Sequence, residues 1–137
     1  MPTATLTLTS ADIAGDPVNV SKTSTCYKAG TTTVLDQSGG LNKVILTSSS
    51  ANTILDAVAA GANKAAKVYI RNLSTVSTEF VTVTINATVI GKLYAGQWLF
   101  MPWSMCDSDS VIKIQASGAG LNIPVEYMLM HEGWTFA

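Results

Sequence analysis

Threonine alternates with aliphatic residues at a period of two, and that pattern leaves this chain few folds. Residues 3–9, TATLTLT, place Ala4, Leu6 and Leu8 between threonines. Residues 79–86, EFVTVTIN, place Val81, Val83 and Ile85 against Thr82 and Thr84. Successive side chains of an extended backbone point to opposite faces, whereas a helix needs a period near 3.6. Each such stretch is therefore expected to be a strand with one dry face.

Similar stretches fill most of the chain. Strands are expected at 18–24, 27–36, 42–49, 66–72, 88–93, 97–102, 110–116 and 123–132, with Gly, Pro, Asn, Asp and Ser in the connectors. Pro102 is read as the end of the 97–102 strand, and DQSGG (36–40) as a turn. Tyr94-Ala95-Gly96-Gln97 reads as a type II turn, with Gly96 supplying the positive φ. One segment breaks the pattern. In ANTILDAVAAGANKAA (51–66), Ile54, Leu55, Val58 and Ala59 fit helical spacing, and alanine favours helix. One or two helical turns are expected there, with a loop as the alternative. About nine short strands with at most one short helix predict an all-β fold, an antiparallel β-sandwich or jelly-roll-like barrel. The length of 137 residues suits a single domain, 1–137.

Charge narrows the function. Only 12% of residues are charged, about half the usual share, and the net charge is −1. Arg71 and the scattered lysines form no basic cluster, so no nucleic-acid partner is expected. No apolar run is long enough for a membrane-spanning helix, and the start MPTATLTLTS has neither a basic nor an apolar export region. No membrane partner is expected, and no Sec-type export is expected, so the cytosol sets the redox state of the thiols. Cys26 and Cys106 are expected to stay reduced there, although they could pair. The sequons at Asn19, Asn72 and Asn86 then carry no meaning.

Catalytic sets are hard to assemble. His131 is the single histidine, at a strand end where a rim position or partner contact suits it better than a role as base. No nucleophile elbow, phosphate loop or dinucleotide fingerprint occurs. Asp107 and Asp109 in CDSDS are expected to be turn residues rather than cation ligands. No enzyme activity, metal or cofactor is expected.

The aromatic residues remain. In QWLFMP (97–102), alternation puts Trp98 and Phe100 on one face and Leu99 and Met101 on the other, so neither face is polar. The last strand repeats this, with Val125, Tyr127 and Leu129 against Met128 and Met130. Two such strands exceed what one small core needs. One face is expected to pack in the core and the other against a partner chain. The partner-contact candidates are Trp98, Phe100, Met101, Trp103, Met128, Met130 and Trp134. Exposed Trp98, Trp103 or Trp134 would alternatively suit a carbohydrate- or receptor-binding module.

Residues 66–132 carry three elements in order: KVYIRNLST with EFVTVTI, then GKLYAGQWLFMP, then SVIKIQASGAGLNIPVEYMLMHEG. This arrangement resembles small structural proteins of tailed-bacteriophage virions, of the capsid decoration (cement) type. The resemblance implies an all-β protein on the capsid surface, made in the host bacterial cytoplasm. It would bind the major capsid protein and itself, as a dimer or trimer. It implies no active-site residue. A tail or neck protein, such as a tube, adaptor or collar, shares the pattern. The Thr-rich first strand is expected to add to a neighbour's sheet edge.

Overall fold

The computed structural model describes residues 3–11, 18–26, 37–56, 64–105 and 111–131. They form ten strands: β1 (Thr3–Ser10), β2 (Val18–Thr25), β3 (Gln37–Leu46), β4 (Asn52–Asp56), β5 (Lys64–Asn72), β6 (Phe80–Ile85), β7 (Thr88–Tyr94), β8 (Trp98–Met105), β9 (Val111–Ala116) and β10 (Ile123–His131). The fold is all-β and sandwich-like. One four-stranded sheet runs β3-β10-β5-β8 and the other β4-β9-β6-β7, while β1 and β2 form a separate hairpin. Every pairing is antiparallel.

The period-two pattern sets the layers. Val68 and Ile70 of β5, Val81 and Val83 of β6, Ile112 and Ile114 of β9, and Ile123 and Val125 of β10 are fully buried between the sheets. Their sequence neighbours Tyr69, Thr82, Lys113 and Glu126 point outward and keep partial exposure. Burying a branched aliphatic side chain contributes about 1.5–3 kcal/mol relative to exposure, so this one cluster supplies much of the driving force.

Three expectations need correction. Residues 52–56 form strand β4, not helix; they pair with β9, and Leu55 joins the core. The apolar partner strand outweighs the helical propensity of the alanines that follow. The rest of that segment, 57–63, lies outside the described residues. Strand β8 runs through Pro102 to Met105. It is the sheet edge, so the missing proline N–H removes no ladder bond. The DQSGG turn is mostly strand: β3 starts at Gln37 and absorbs Gly40, at φ 75°, where its register against β10 shifts. The expected strand at 27–36 lies outside the described residues.

Two turns depend on residues with positive φ. Gly96 has φ 78° and Gln97 N–H donates to the Tyr94 carbonyl at 2.9 Å, which closes the turn into β8 as the sequence implied. Asn86 takes φ 54° in the two-residue link between β6 and β7. Its side chain accepts from Val111 N–H at 3.0 Å, anchoring that link to β9.

Candidate functional site

The two outer faces of the sandwich differ in chemistry. Over β6 and β9 the outward residues are Thr82, Thr84, Lys113 and Gln115, an ordinary solvated surface. Val89 and Ile90 are exposed only at the rim, on β7. Over β3-β10-β5-β8 the outward residues are largely apolar.

Register aligns them into rows. Leu41 lies opposite Met128, Met128 opposite Tyr69, and Tyr69 opposite Phe100. An apolar row thus crosses all four strands. The adjoining row is Lys43, Glu126, Arg71 and Trp98, paired in the same way. Charge sits at its centre and an indole at its end. On the other flank, Met130 faces Lys67, and Lys67 faces Pro102.

Exposure confirms that the face is open. Leu41 is 63% exposed, Trp98 49% and Phe100 37%. Leu41 ends the apolar row on β3 and Phe100 ends it on β8, while Met128 and Tyr69 between them are partly buried. The Tyr69 hydroxyl ties the two rows together by donating to Glu126 Oε1 at 2.7 Å. Partial burial, then the Glu126 carboxylate, raise the Tyr69 pKa, while nearby Arg71 opposes the shift. Tyr69 therefore stays a neutral donor at physiological pH.

The β1–β2 hairpin borders this face. Thr3, Ala4, Thr5 and Leu6 form one wall of an open groove of about 760 Å³. Leu41, Tyr69, Arg71, Trp98, Phe100, Met128 and Met130 line the rest of it. The groove is mostly apolar, with Arg71 as its charged group.

The structure divides the partner-contact candidates. Trp98, Phe100, Met128 and Met130 meet on the outer face. Met101 and Trp103 do not: Trp103 is a core residue and Met101 packs against the core, because both share the inward parity of Leu99. A shared strand places residues on one face only when their spacing is even. Trp134 lies outside the described residues. Sequence reasoning missed Leu41, Tyr69 and Arg71. Alternation already set Tyr69 and Arg71 opposite Val68 and Ile70; Leu41 was hidden beside a glycine pair that resembles a turn.

His131 is buried at the end of β10, where it lies opposite Ala66 and Gln37; the expected rim position is not what it occupies. Among the described residues no three His, Cys, Asp or Glu side chains group as metal ligands, and Asp107, Asp109 and Cys106 lie outside that set. Asn72 is fully buried and hydrogen-bonded, so its sequon is inaccessible in the folded chain. No helix among the described residues is long and apolar enough to cross a membrane.

No family model matches the chain. No curated protein matches it in sequence.

Proposed function

We propose that this chain is a structural protein of a tailed-bacteriophage virion, a capsid decoration protein, whose β3-β10-β5-β8 face binds the major capsid protein. One observation carries the reading: the apolar row Leu41–Met128–Tyr69–Phe100 runs across a whole sheet, with its two ends exposed and Met128 and Tyr69 between them partly exposed. The sequence resemblance to decoration proteins points the same way.

The mechanism is additive contact. Seating the row on a coat subunit removes apolar side chains from water at about 25 cal/mol per Å². The Lys43–Glu126–Arg71 row sets orientation, since misplaced charges disfavour wrong seatings. One contact of this size is modest. A shell presents the same site many times, and copies bridging neighbouring subunits gain avidity. The role requires no catalytic group, metal or cofactor. Its place is the capsid surface, after synthesis in the bacterial cytoplasm.

The test is a reconstruction of particles purified from the genome that carries this gene. Density for the chain at coat-subunit junctions in many copies is expected, with Phe100 and Met128 against the shell. F100K/M128K is expected to leave the shell bare. Absence of the chain from purified particles overturns the reading. A few copies at the tail or neck would instead make it a tube, adaptor or collar component.

A second reading rests on one feature. Trp98 is half exposed beside Arg71 in the groove, an arrangement that suits stacking on a sugar ring with a polar clamp. Tryptophan fluorescence unmoved by glycans, together with a blank glycan array, removes it.

A further inference from the structure

The geometry points to a second copy of this chain as the partner of strand β1, joined edge to edge in an antiparallel, two-fold symmetric pair. The inference rests on strand edges alone, so it stands or falls separately from the virion reading.

An open strand edge offers unpaired N–H and C=O groups to any other strand, and proteins normally block it. All four edges of this sandwich are blocked. On β3 the register against β10 slips between Met128 and Met130, placing two residues, including Gly40, opposite one. On β4 it slips at Ile54, between Thr53 and Leu55. On β7 it slips at Ile90, between the partners of Val83 and Thr84. Such bulges twist an edge away from a partner. The remaining edge, β8, carries Pro102.

Strand β1 has none of these devices. Its register with β2 runs from Thr3↔Thr25 to Ser10↔Val18 without a slip. It contains no charge and no proline. Among the described residues it pairs with β2 alone. Its hairpin mate β2 carries Lys22, which leaves β1 as the uncharged edge. A two-stranded hairpin is marginal in water, and further strands with a shared apolar face stabilise it. Leu6 and Leu8 are half exposed at 49% and 50%, as an unfinished face would leave them.

The sequence names the occupant. Residues 3–9 read TATLTLT, which is complementary to itself when reversed. An antiparallel pair centred on Leu6 sets Leu6 against Leu6, Ala4 against Leu8, Thr5 against Thr7 and Thr3 against Thr9. Every apolar residue meets an apolar residue, and every threonine a threonine. Cross-strand pairs of like character stabilise such a ladder, and no charge opposes it. The contact is isologous, so it closes at two copies. The product is a four-stranded sheet, β2-β1-β1-β2, that joins two sandwiches.

The test is sedimentation of the full chain at micromolar concentration. The wild type is expected at twice the chain mass of 14.4 kDa. T5K/T7K sets lysine against lysine at the proposed register and is expected to sediment at the single-chain mass. T5K/T7E sets lysine against glutamate and is expected to restore the dimer. Both variants lose the exposed Thr5–Thr23 hydroxyl contact alike, so their difference reports the pairing between copies. Circular dichroism checks that each remains a β-protein. A wild-type monomer, a T5K/T7K chain that stays dimeric, or a T5K/T7E chain that stays monomeric overturns the inference.

Discussion

Asn72 Nδ2 donates to the Leu93 carbonyl at 2.9 Å and so ties the two sheets of the sandwich together. Asn72 ends β5 in one sheet, and Leu93 lies on β7 in the other. The same amide is fully buried and accepts from Ser74 N–H at 2.9 Å through Oδ1. Its backbone exchanges bonds with the turn into β8: Asn72 N–H reaches the Gln97 carbonyl and Gly96 N–H reaches the Asn72 carbonyl. Asn72 thus ties the sheets through its side chain and holds the turn that leads into Trp98 through its backbone.

Replacing that amide should be costly. Asn72→Ala leaves the Leu93 carbonyl and Ser74 N–H without these partners, a loss of about 2–4 kcal/mol. Asn72→Asp keeps the shape but turns a donor into a second acceptor facing a carbonyl, and should destabilise at least as much at neutral pH. Urea denaturation reads both. A midpoint equal to wild type for either variant removes the role assigned to Asn72.

Parity along the strands predicts where truncation hurts. Ile114→Ala, in the core, should cost about 2–5 kcal/mol, and Ile114→Val about 0.5–1.5. Phe100→Ala, only partly exposed on the outer face, should cost about 1–2 kcal/mol, less than Ile114→Ala, while weakening the proposed contact with a coat subunit. Thermal unfolding of the three variants checks the order.

The β6–β7 link depends on backbone conformation more than on contact. Asn86 sits at φ 54°, which asparagine tolerates and β-branched residues do not. Asn86→Val should cost about 2 kcal/mol or more. Asn86→Gly keeps the backbone and loses the bond from Val111, so it should cost about 0.5–1 kcal/mol. Chemical denaturation that ranks valine at or above glycine would contradict this account.

Tyr69 should titrate late. Its folded pKa is raised above the ordinary 10.0, chiefly by burial and then by Glu126. A raised value favours the protonated folded state. That stabilisation is fully present below the unfolded pKa and is lost as pH rises through the folded one. Stability should therefore fall with alkalinity above about pH 10, and Tyr69→Phe should flatten that fall. Glu126→Gln should move the late tyrosinate absorbance only part of the way back, because burial remains as a cause. A complete return to the ordinary value would make Glu126 dominant instead.

Much of the architecture was legible because alternation is a local signal. TATLTLT and EFVTVTIN fix which side chains share a face before any partner strand is known. The same rule, carried past Pro102, sends Trp103 inward with Leu99; taking Pro102 as the strand end stops it one residue short. What stayed hidden depends on distant pairing. Residues 52–56 become strand because β9 lies beside them, and no neighbouring residue says so. Pro102 can sit inside β8 because, among the described residues, no strand pairs on its far side. Leu41 belongs to the outer face because Gly40 bends within a strand rather than ending one, a distinction that requires β10. The apolar row itself is a product of register, which four separate sequences cannot display.

The parity of the β3-β10-β5-β8 sheet separates two kinds of inheritance. On β5 and β3 the odd positions Tyr69, Arg71, Leu41 and Lys43 face outward, and on β8 and β10 the even positions Trp98, Phe100, Glu126 and Met128 do. Their immediate neighbours hold the core. Folding therefore constrains one parity class, and the proposed coat contact would constrain the other. Descendants of this chain can rewrite the printed face, residue by residue, while the plate beneath it stays the same.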